Sequence, residues 1–393
     1  MNKIFSVALL LAGAALPVLQ ACDKGEDTPE NTAAPTSVAS LRFIGEAKVP
    51  FRQDYSGTTL GGFSGIDYRP DNNSYYLMCD DPSNLQPVRF YTAALAFDEK
   101  SFSGVTFTSV TTLKRPDGTT FPRAGADATA IYGTIDPEGI RYDAATGHIL
   151  WSSEGVRNLS PTLPGPVTND PFLREANLDG SHVAQFGLPA LFQVKATENG
   201  TRSNGSYEGL SVSPGGRFVF TAQEEPIYED GPRAAFGVPA TTRIVKYDKA
   251  TRQVVGQYAY RLDAVHKAPV PATEFQLNGI VEVLALSETK LLVMERSFAV
   301  GATPDYVVKI HEVDLAAATD VSSLNGLQGA SYTPVTKRLV LDLATTGIAR
   351  VDNLEGMTFG PRLPNGHFSL IMVSDDNFAM SQITQFLAFE VIP

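Results

Sequence analysis

The pattern of apolar and polar positions in residues 204–226 predicts a β-hairpin. Apolar and polar side chains alternate over 210–212 and again over 217–222, and a Pro-Gly-Gly turn separates the two segments. Alternation with a period of two on both sides of a glycine-rich turn is typical of paired antiparallel strands. A carboxylate stands at each end of the hairpin, Glu208 before the first strand residues and Glu224 after the second strand.

This pattern occurs five times along the chain. Successive repeats are 74, 70, 74 and 73 residues apart when they are counted from Gly65, Gly139, Gly209, Val283 and Gly356. Near-constant spacing predicts repeated structural units, and repeated hairpins favour an all-β fold, a β-propeller of four-stranded antiparallel sheets. Because the spacing exceeds the roughly 40–45 residues of a bare blade, we expect five or six blades. The alternative is five similar hairpins in one large sandwich.

The C-terminal segment 383–392 is an apolar strand with no turn after it. An unpaired strand at the edge of a sheet exposes its backbone groups. We therefore expect this last strand to join the first blade and close the ring.

The first 21 residues have the features of a secretory signal peptide, with Lys3 ahead of an apolar run over 4–19. The run is too short and wrongly flanked for a membrane-spanning helix. It ends in Leu-Gln-Ala-Cys, which resembles a bacterial lipobox and predicts that Cys22 carries lipid after cleavage. The alternative is an ordinary secretory signal followed by a chance cysteine. We expect a cell-envelope lipoprotein, in the outer membrane or facing the periplasm, that meets the membrane through its N-terminal lipid only.

Composition divides the remainder into a tether over 22–40 and a folded domain over 41–393. The tether is made mainly of Asp, Glu, Thr, Pro, Ala and Ser, which predicts disorder. A net charge of −12 argues against nucleic-acid binding, which needs a basic surface, and is compatible with divalent cations. With two cysteines, one of them Cys22, the fold does not depend on a disulfide framework. We expect a monomer.

Carboxylates recur at two positions of the repeat. If each repeat is a blade, equivalent residues converge around one axis, and a divalent cation would relieve their mutual repulsion. Calcium suits such flexible oxygen ligands best, with magnesium as the next choice. The alternative is that these glutamates accept backbone N–H bonds and fasten adjacent blades. The candidate metal ligands are Glu138, Glu208, Glu282 and Glu355 at the first position, and Asp80, Glu154, Glu224, Glu295 and Asp375 at the second.

Four arginines lie beside or after repeat acids, Arg141, Arg157, Arg233 and Arg296, and of these Arg141, Arg157 and Arg296 are candidate substrate contacts. An arginine can clamp a phosphate through two hydrogen bonds, or it can neutralise a neighbouring carboxylate. The sequence contains no HExxH, no GxSxG elbow, no P-loop and no dinucleotide-binding fingerprint. No residue is assigned as catalytic.

The repeat residues resemble the phytase-like family, also called the esterase-like activity of phytase family, over about 41–393. The motifs that carry this resemblance are DPEGIRYD with SSEG, NGSYEGLSVSPGGRFVFTAQEEP, VEVLALSETKLLVMERSF, and NLEGMTFGP with VSDDNF. The resemblance implies a secreted or envelope β-propeller and points toward calcium-dependent cleavage of phosphate esters, although the acidic motifs of the alkaline phytases are not matched. The leading hypothesis is a calcium-assisted hydrolase of a small-molecule phosphoester or other ester. The alternative is a non-catalytic propeller that binds a ligand or a protein partner.

Overall fold

Five four-stranded antiparallel sheets surround one axis in this computed structural model, which describes residues 34–123, 135–160 and 167–393. The innermost strands of neighbouring sheets contact one another in a closed circuit. The predicted β-propeller is confirmed, and it has five blades rather than six. The predicted signal peptide, Cys22 and most of the predicted tether lie outside the described residues. Among the described residues, no helix is long and apolar enough to cross a membrane.

The blades are numbered I to V by the chain order of their innermost strands. Ahead of blade I lie β1 (Ser40–Val49) and a small ladder of β2 (Asp54–Tyr55) and β3 (Thr58–Thr59). Blade I consists of β4 (Gly65–Arg69), β5 (Ser74–Cys79), β6 (Arg89–Phe97) and β7 (Phe102–Thr112). Blade II consists of β8 (Pro137–Asp143), β9 (His148–Ser153), β12 (Phe172–Ala176) and β13 (His182–Gln185). Between β9 and β12 the chain forms a second small ladder of β10 (Val156–Asn158) and β11 (Val167–Asn169).

The remaining three blades follow the same antiparallel order. Blade III consists of β14 (Tyr207–Val212), β15 (Phe218–Gln223), β16 (Ala240–Asp248) and β17 (Gln253–Leu262). Blade IV consists of β18 (Gln276–Ala285), β19 (Lys290–Ala299), β20 (Tyr306–Asp314) and β21 (Thr336–Asp342). Blade V contains β22 (Leu354–Arg362), β23 (Phe368–Ser374) and β24 (Thr384–Ile392), with β1 as its outer strand. Single 3-10 turns occur at Pro70–Asn72, Ala190–Phe192, Tyr228–Asp230 and Leu343–Thr345.

The second strand of each blade is buried along almost its whole length, as in β15 and β23. Such a strand faces a neighbouring blade on both of its sides, so its sequence is mostly apolar rather than strictly alternating. The core is accordingly divided into layers between adjacent blades, and Phe220 with Ile280 marks the layer between blades III and IV. Because every innermost strand is held between two such layers, the residues at its end are fixed in position.

The ring is closed by the N-terminal strand, not by the C-terminal strand joining the first blade. The strand β1 pairs antiparallel with β24 from Ser40 opposite Ile392 to Val49 opposite Thr384. The prediction that the last strand joins the first blade is therefore wrong, because β24 pairs with β1 and β23 in blade V. The tether also ends earlier than predicted, because Val38 is fully buried in the layer between blades IV and V.

Candidate functional site

One end of the propeller axis opens into a cavity of about 330 Å³ whose wall is rich in carboxylates. Two further carboxyl groups, Asp136 and Glu154, lie directly against this wall, each within 4.8 Å of a wall carboxylate. We call the combined set the acidic cup, and it consists of Asp80, Asp136, Glu138, Glu154, Glu208, Glu224, Glu225, Glu355 and Asp375.

Strand pairing explains why acids from separate repeats meet here. In blades II, III and V, a bulge interrupts the pairing of the first two strands. On each of these strands, the residue that follows the last pair before the bulge in sequence is an acid. An equivalent backbone hydrogen bond, donated by its own amide N, fixes the second acid of each pair. The amide N of Glu154 donates to Asp136 O at 2.8 Å, and that of Glu224 donates to Ser206 O at 2.7 Å. In blade I, the amide N of Asp80 donates to Gly62 O at 2.6 Å.

Blade IV departs from this arrangement by one residue. Its last pair before the bulge is Ile280 opposite Glu295, so the next residues on the two strands are Val281 and Arg296. A cation therefore occupies the place that an acid holds in the other blades. The prediction that Glu282 and Glu295 join the ring of ligands is wrong. Glu282 lies one residue after the ring position, which Val281 occupies, and Glu295 lies one residue before the ring position of Arg296.

Glu282 lies deeper along the axis and fastens blades together. Its Oε2 is 2.8 Å from Arg141 Nη2, and its Oε1 accepts a hydrogen bond from Leu210 N at 2.9 Å. Arg141 also donates to Ile66 O at 2.6 Å and to Met357 O at 3.0 Å. This buried pair links all five innermost strands, so Glu282 fastens adjacent blades, as the alternative interpretation of the glutamates expected. The Arg141 guanidinium is engaged in the core rather than in the cavity wall.

Glu295 lies in a separate ionic cluster between blades III and IV. It accepts a hydrogen bond from Tyr260 Oη at 2.5 Å and from Asp263 N at 3.0 Å, and it forms an ion pair with Lys337. Ligand atoms of Asp263, Glu295 and His311 lie within 4.8 Å of one another, so these three residues have the spacing of a metal site. Lys337 bonds to both Glu295 and Asp263, and Lys309 Nζ lies 3.0 Å from Asp263 Oδ2, so two ammonium groups of the chain already balance the two acids.

Arg157 lies near the rim without lining the cavity. Its Nη1 donates to Tyr228 Oη at 2.8 Å, and its backbone N donates to Ser203 Oγ at 2.9 Å. Of the three predicted substrate arginines, only Arg296 is part of the cavity wall.

The acidic cup contains far more acidic than basic side chains. Arg296 Nη2 lies 2.9 Å from Glu224 Oε1, and Nη1 bonds to Glu355. Arg233 lies at the rim, and its Nη2 is 2.8 Å from Glu225 Oε2. These two arginines stand against nine carboxyl groups, and the remaining carboxyl groups have no cation partner among the described residues.

Burial and mutual repulsion disfavour ionisation in the acidic cup. Burial raises the pKa of Glu224 to about 8, and Arg296 opposes this effect. Burial likewise raises the pKa of Glu225 to about 7 against the influence of Arg233. For Glu138 and Glu208, burial and then the neighbouring carboxylates raise the pKa well above its ordinary value. A bound cation would reverse this penalty.

Two groups of carboxylates have the spacing of cation ligands. Ligand oxygens of Asp80, Asp136 and Glu138 lie within 4.8 Å of one another, and so do those of Glu138, Glu154 and Glu208. Glu154 is 1% exposed, yet its Oε2 has no hydrogen-bond partner among the described residues, and neither does the buried Oδ1 of Asp80. Unpartnered buried carboxylate oxygens are costly, so the donor set fits a hard divalent cation such as calcium.

Two charged residues of the site, Asp136 and Glu225, were not among the predicted ligands. Glu225 directly follows Glu224 and Asp136 is two residues before Glu138, so the pairs of close acids in DPEG and QEEP were available signals. Arg233, noted in the sequence as an arginine after repeat acids, lies in the long loop between β15 and β16 and pairs with Glu225.

Comparison with known proteins identifies a family. The model of the phytase-like family, described as esterase-like activity of phytase, matches residues 58–378. No curated protein matches the chain. Similar solved structures include a periplasmic gluconolactonase of Pseudomonas aeruginosa, with 12% identity, 88% of this chain and 92% of the other covered, and a TM-score of 0.35. A GH43 β-1,3-galactosidase with galactodeoxynojirimycin has 8% identity, coverage of 88% and 95%, and a TM-score of 0.42. A protein of unknown function from Dyadobacter fermentans has 9% identity, coverage of 90% and 100%, and a TM-score of 0.39. At such values these likenesses carry no argument about chemistry.

Proposed function

The chain belongs to the phytase-like family, and from the geometry of the acidic cup we propose that it hydrolyses a phosphoester or related anionic ester with a divalent cation, calcium first. The observation that carries this proposal is the imbalance of buried charge. Nine carboxyl groups surround a cavity with two arginines, and three of their buried oxygens lack hydrogen-bond partners among the described residues. A site built in this way is suited to hold a cation and, through it, an anionic substrate.

The cation would be held by the two groups of carboxylates that have Glu138 in common. One group adds Asp80 and Asp136 to Glu138, and the other adds Glu154 and Glu208. When bound there, calcium would polarise the ester and lower the pKa of a water molecule. Glu224 and Glu355 are less suited as ligands, because Arg296 already engages both.

The arginines and Glu225 would supply the remaining functions. Arg296 is held by two carboxylates, which fixes its guanidinium at the cavity wall beside the place for an anionic group. Arg233 is 41% exposed and can turn toward an incoming phosphate. The buried Oε1 of Glu225 has no partner among the described residues, and with a pKa of about 7 it is suited to accept a proton from water.

The proposed reaction balances with water as the only co-substrate. Water attacks phosphorus, the bond from phosphorus to the alcohol oxygen breaks, and the proton taken from water ends on the departing alcohol. The products are a free alcohol and inorganic phosphate.

The test is calcium titration by calorimetry, with a phosphoester screen on the same mature protein. We expect saturable calcium binding, turnover that stops when a chelator is added, and loss of both in Glu154→Gln and Glu208→Gln. Glu198→Gln is the matched control, because Glu198 is an exposed acid outside the cup. Absence of calcium binding would refute the proposal. Binding without turnover on any ester would instead favour the alternative, a non-catalytic propeller that binds a ligand.

Attachment to the cell envelope through a lipid on Cys22 is part of the same proposal. It is supported by the apolar run and the Leu-Gln-Ala-Cys ending that precede the folded domain.

A further inference from the structure

One side of the cavity differs chemically from the rest of the acidic cup. Blade IV, which lacks the two ring acids, contributes three aromatic side chains to the wall, with Leu277 beside them. We call this set the aromatic wall, and it consists of Phe275, Phe298 and Tyr306. At the cavity mouth the blades on either side present polar groups instead, including Asn204 and Asn377.

The aromatic wall is a continuous and well-supported surface. The ring centroids of Phe298 and Tyr306 are 4.7 Å apart with an interplanar angle of 34°, and those of Phe275 and Phe298 are 6.2 Å apart. Phe298 and Tyr306 are directly paired residues of β19 and β20. The Tyr306 hydroxyl accepts a hydrogen bond from Gln382 Nε2 at 3.1 Å, which holds its ring in place.

The aromatic wall is not simply a part of the hydrophobic core. Phe275 is 50% exposed at the cavity mouth, although the adjoining Leu277 is buried. One part of the Phe275 ring packs near Phe298, and the other half is open to contact by a ligand in the cavity. Placed opposite the carboxylates and next to Arg296, the ring is positioned for a ligand that has both a charged and an apolar part.

We propose that the aromatic wall is a substrate subsite, so that the preferred ester joins an anionic phosphoryl group to a ring with an apolar face. The phosphoryl group would lie at the carboxylate and arginine side of the cavity, and the ring of the alcohol would stack on Phe275 and Phe298. This inference rests on the proposed function, because it specifies the leaving group of the same reaction. It also predicts poor use of a ring phosphorylated on every carbon, since such a ring presents no apolar face and adds negative charge to an acidic cavity.

The test compares two pairs of probes on the mature protein in saturating calcium. Turnover is measured with phenyl phosphate and ethyl phosphate, and binding is measured by calorimetry with the non-hydrolysable phenylphosphonate and ethylphosphonate. Stacking on one aromatic side chain is worth roughly a tenfold change in affinity or more. We expect phenylphosphonate to bind at least tenfold more tightly than ethylphosphonate, and phenyl phosphate to have the lower KM.

The decisive variant is Phe275→Ala, with Phe236→Ala as its matched control. Phe236 is a similarly exposed phenylalanine, 56% exposed, on a neighbouring loop outside the cavity wall. Phe275→Ala should remove about tenfold of the preference for the phenyl probe by raising its Kd and KM, and should leave the ethyl probes within twofold. Phe236→Ala should leave all four probes within twofold. Phe275→Leu keeps an apolar side chain without the ring, and it should behave like Phe275→Ala while thermal melting verifies the fold.

The outcomes separate this inference from the proposed function. Turnover of both esters without preference for the ring, or equal effects of Phe275→Ala and Phe236→Ala, would overturn the inference and leave the hydrolase intact. A ring preference in phosphonate binding that depends on Phe275, without turnover of any ester, would support the subsite and overturn the hydrolase. Failure of both phosphonates to bind would overturn the inference.

Discussion

The stability of the cation-free protein should fall as the pH rises from about 5 to 8. Unfolded glutamate titrates near its ordinary pKa of 4.5, whereas burial raises the pKa of Glu224 to about 8 and that of Glu225 to about 7 in the folded state. Between these values the folded protein binds more protons than the unfolded chain does. The free energy of unfolding therefore decreases with increasing pH across this window. This is the reverse of the behaviour of a protein stabilised by ionised carboxylates.

The magnitude follows from the raised pKa values. Since one pKa unit corresponds to about 1.4 kcal/mol, Glu224 alone accounts for a loss on the order of 4 kcal/mol by pH 8. Glu225 is a neighbour whose titration interacts with that of Glu224, so the two losses are not additive. We expect a fall of at least about 3 kcal/mol, which is a large part of the roughly 5–15 kcal/mol that stabilises a typical folded domain.

The assay is guanidinium unfolding at pH 5, 6, 7 and 8 after removal of divalent cations, repeated in excess calcium. Calcium binds the ionised carboxylates, so it should restore stability most at pH 8, by about 2.7 kcal/mol at a concentration of one hundred times Kd. Glu154→Gln should flatten the pH dependence of the cation-free protein, whereas Glu198→Gln should not. A stability that is constant or rises between pH 5 and 8 without cations would show that the acidic cup is not a region of uncompensated buried acid.

Three further predictions concern the fold and its anchoring. Arg141→Met removes the partner of buried Glu282 and should lower the free energy of unfolding by about 3–5 kcal/mol in denaturant titrations; a loss below about 1 kcal/mol would contradict the fastening role of this pair. A chain that ends at Gln382 lacks β24 and leaves β1 without a partner, so circular dichroism should show loss of the whole domain, and a folded, soluble product would disprove this account of ring closure. Cys22→Ser should abolish metabolic labelling with fatty acid and release the protein from the membrane fraction, and labelling that persists would disprove lipidation at this residue.

The general architecture could be predicted because the information is local and repeated. Each repeat contains its own alternation, its glycine-rich turn and its two acids, so five weak signals at one spacing support one another. The blade number stayed between five and six because the outer strands of each blade, such as β16 and β17, carry no motif that could be counted. The partner of β1 was not predictable, since its pairing with β24 joins residues at opposite ends of the chain and no local pattern encodes it.

The site was predictable only where the repeats keep one register. The first acids of blades II, III and V were correctly aligned by spacing, because the bulge falls at the same place in each. In blade IV the glutamates match in sequence, but the pairing of Ile280 with Glu295 shifts both out of the ring. That register depends on how β18 and β19 pack between two blades, which residue spacing does not report.

The same one-residue shift accounts for the division of roles in the cavity. If blade IV followed the other blades, the site would hold two more carboxylates and no buried arginine, and repulsion among them would increase. Instead, the shift places Arg296 against Glu224 and Glu355, which removes two acids from the set available to a cation. Among the acids without an arginine partner, Asp80 of blade I and Glu154 of blade II have unpartnered buried oxygens, while the aromatic wall comes from blade IV. A ring of equivalent acids would favour only a cation, whereas this asymmetric cavity places the proposed cation site beside a fixed arginine and an apolar surface, as the proposed substrate requires.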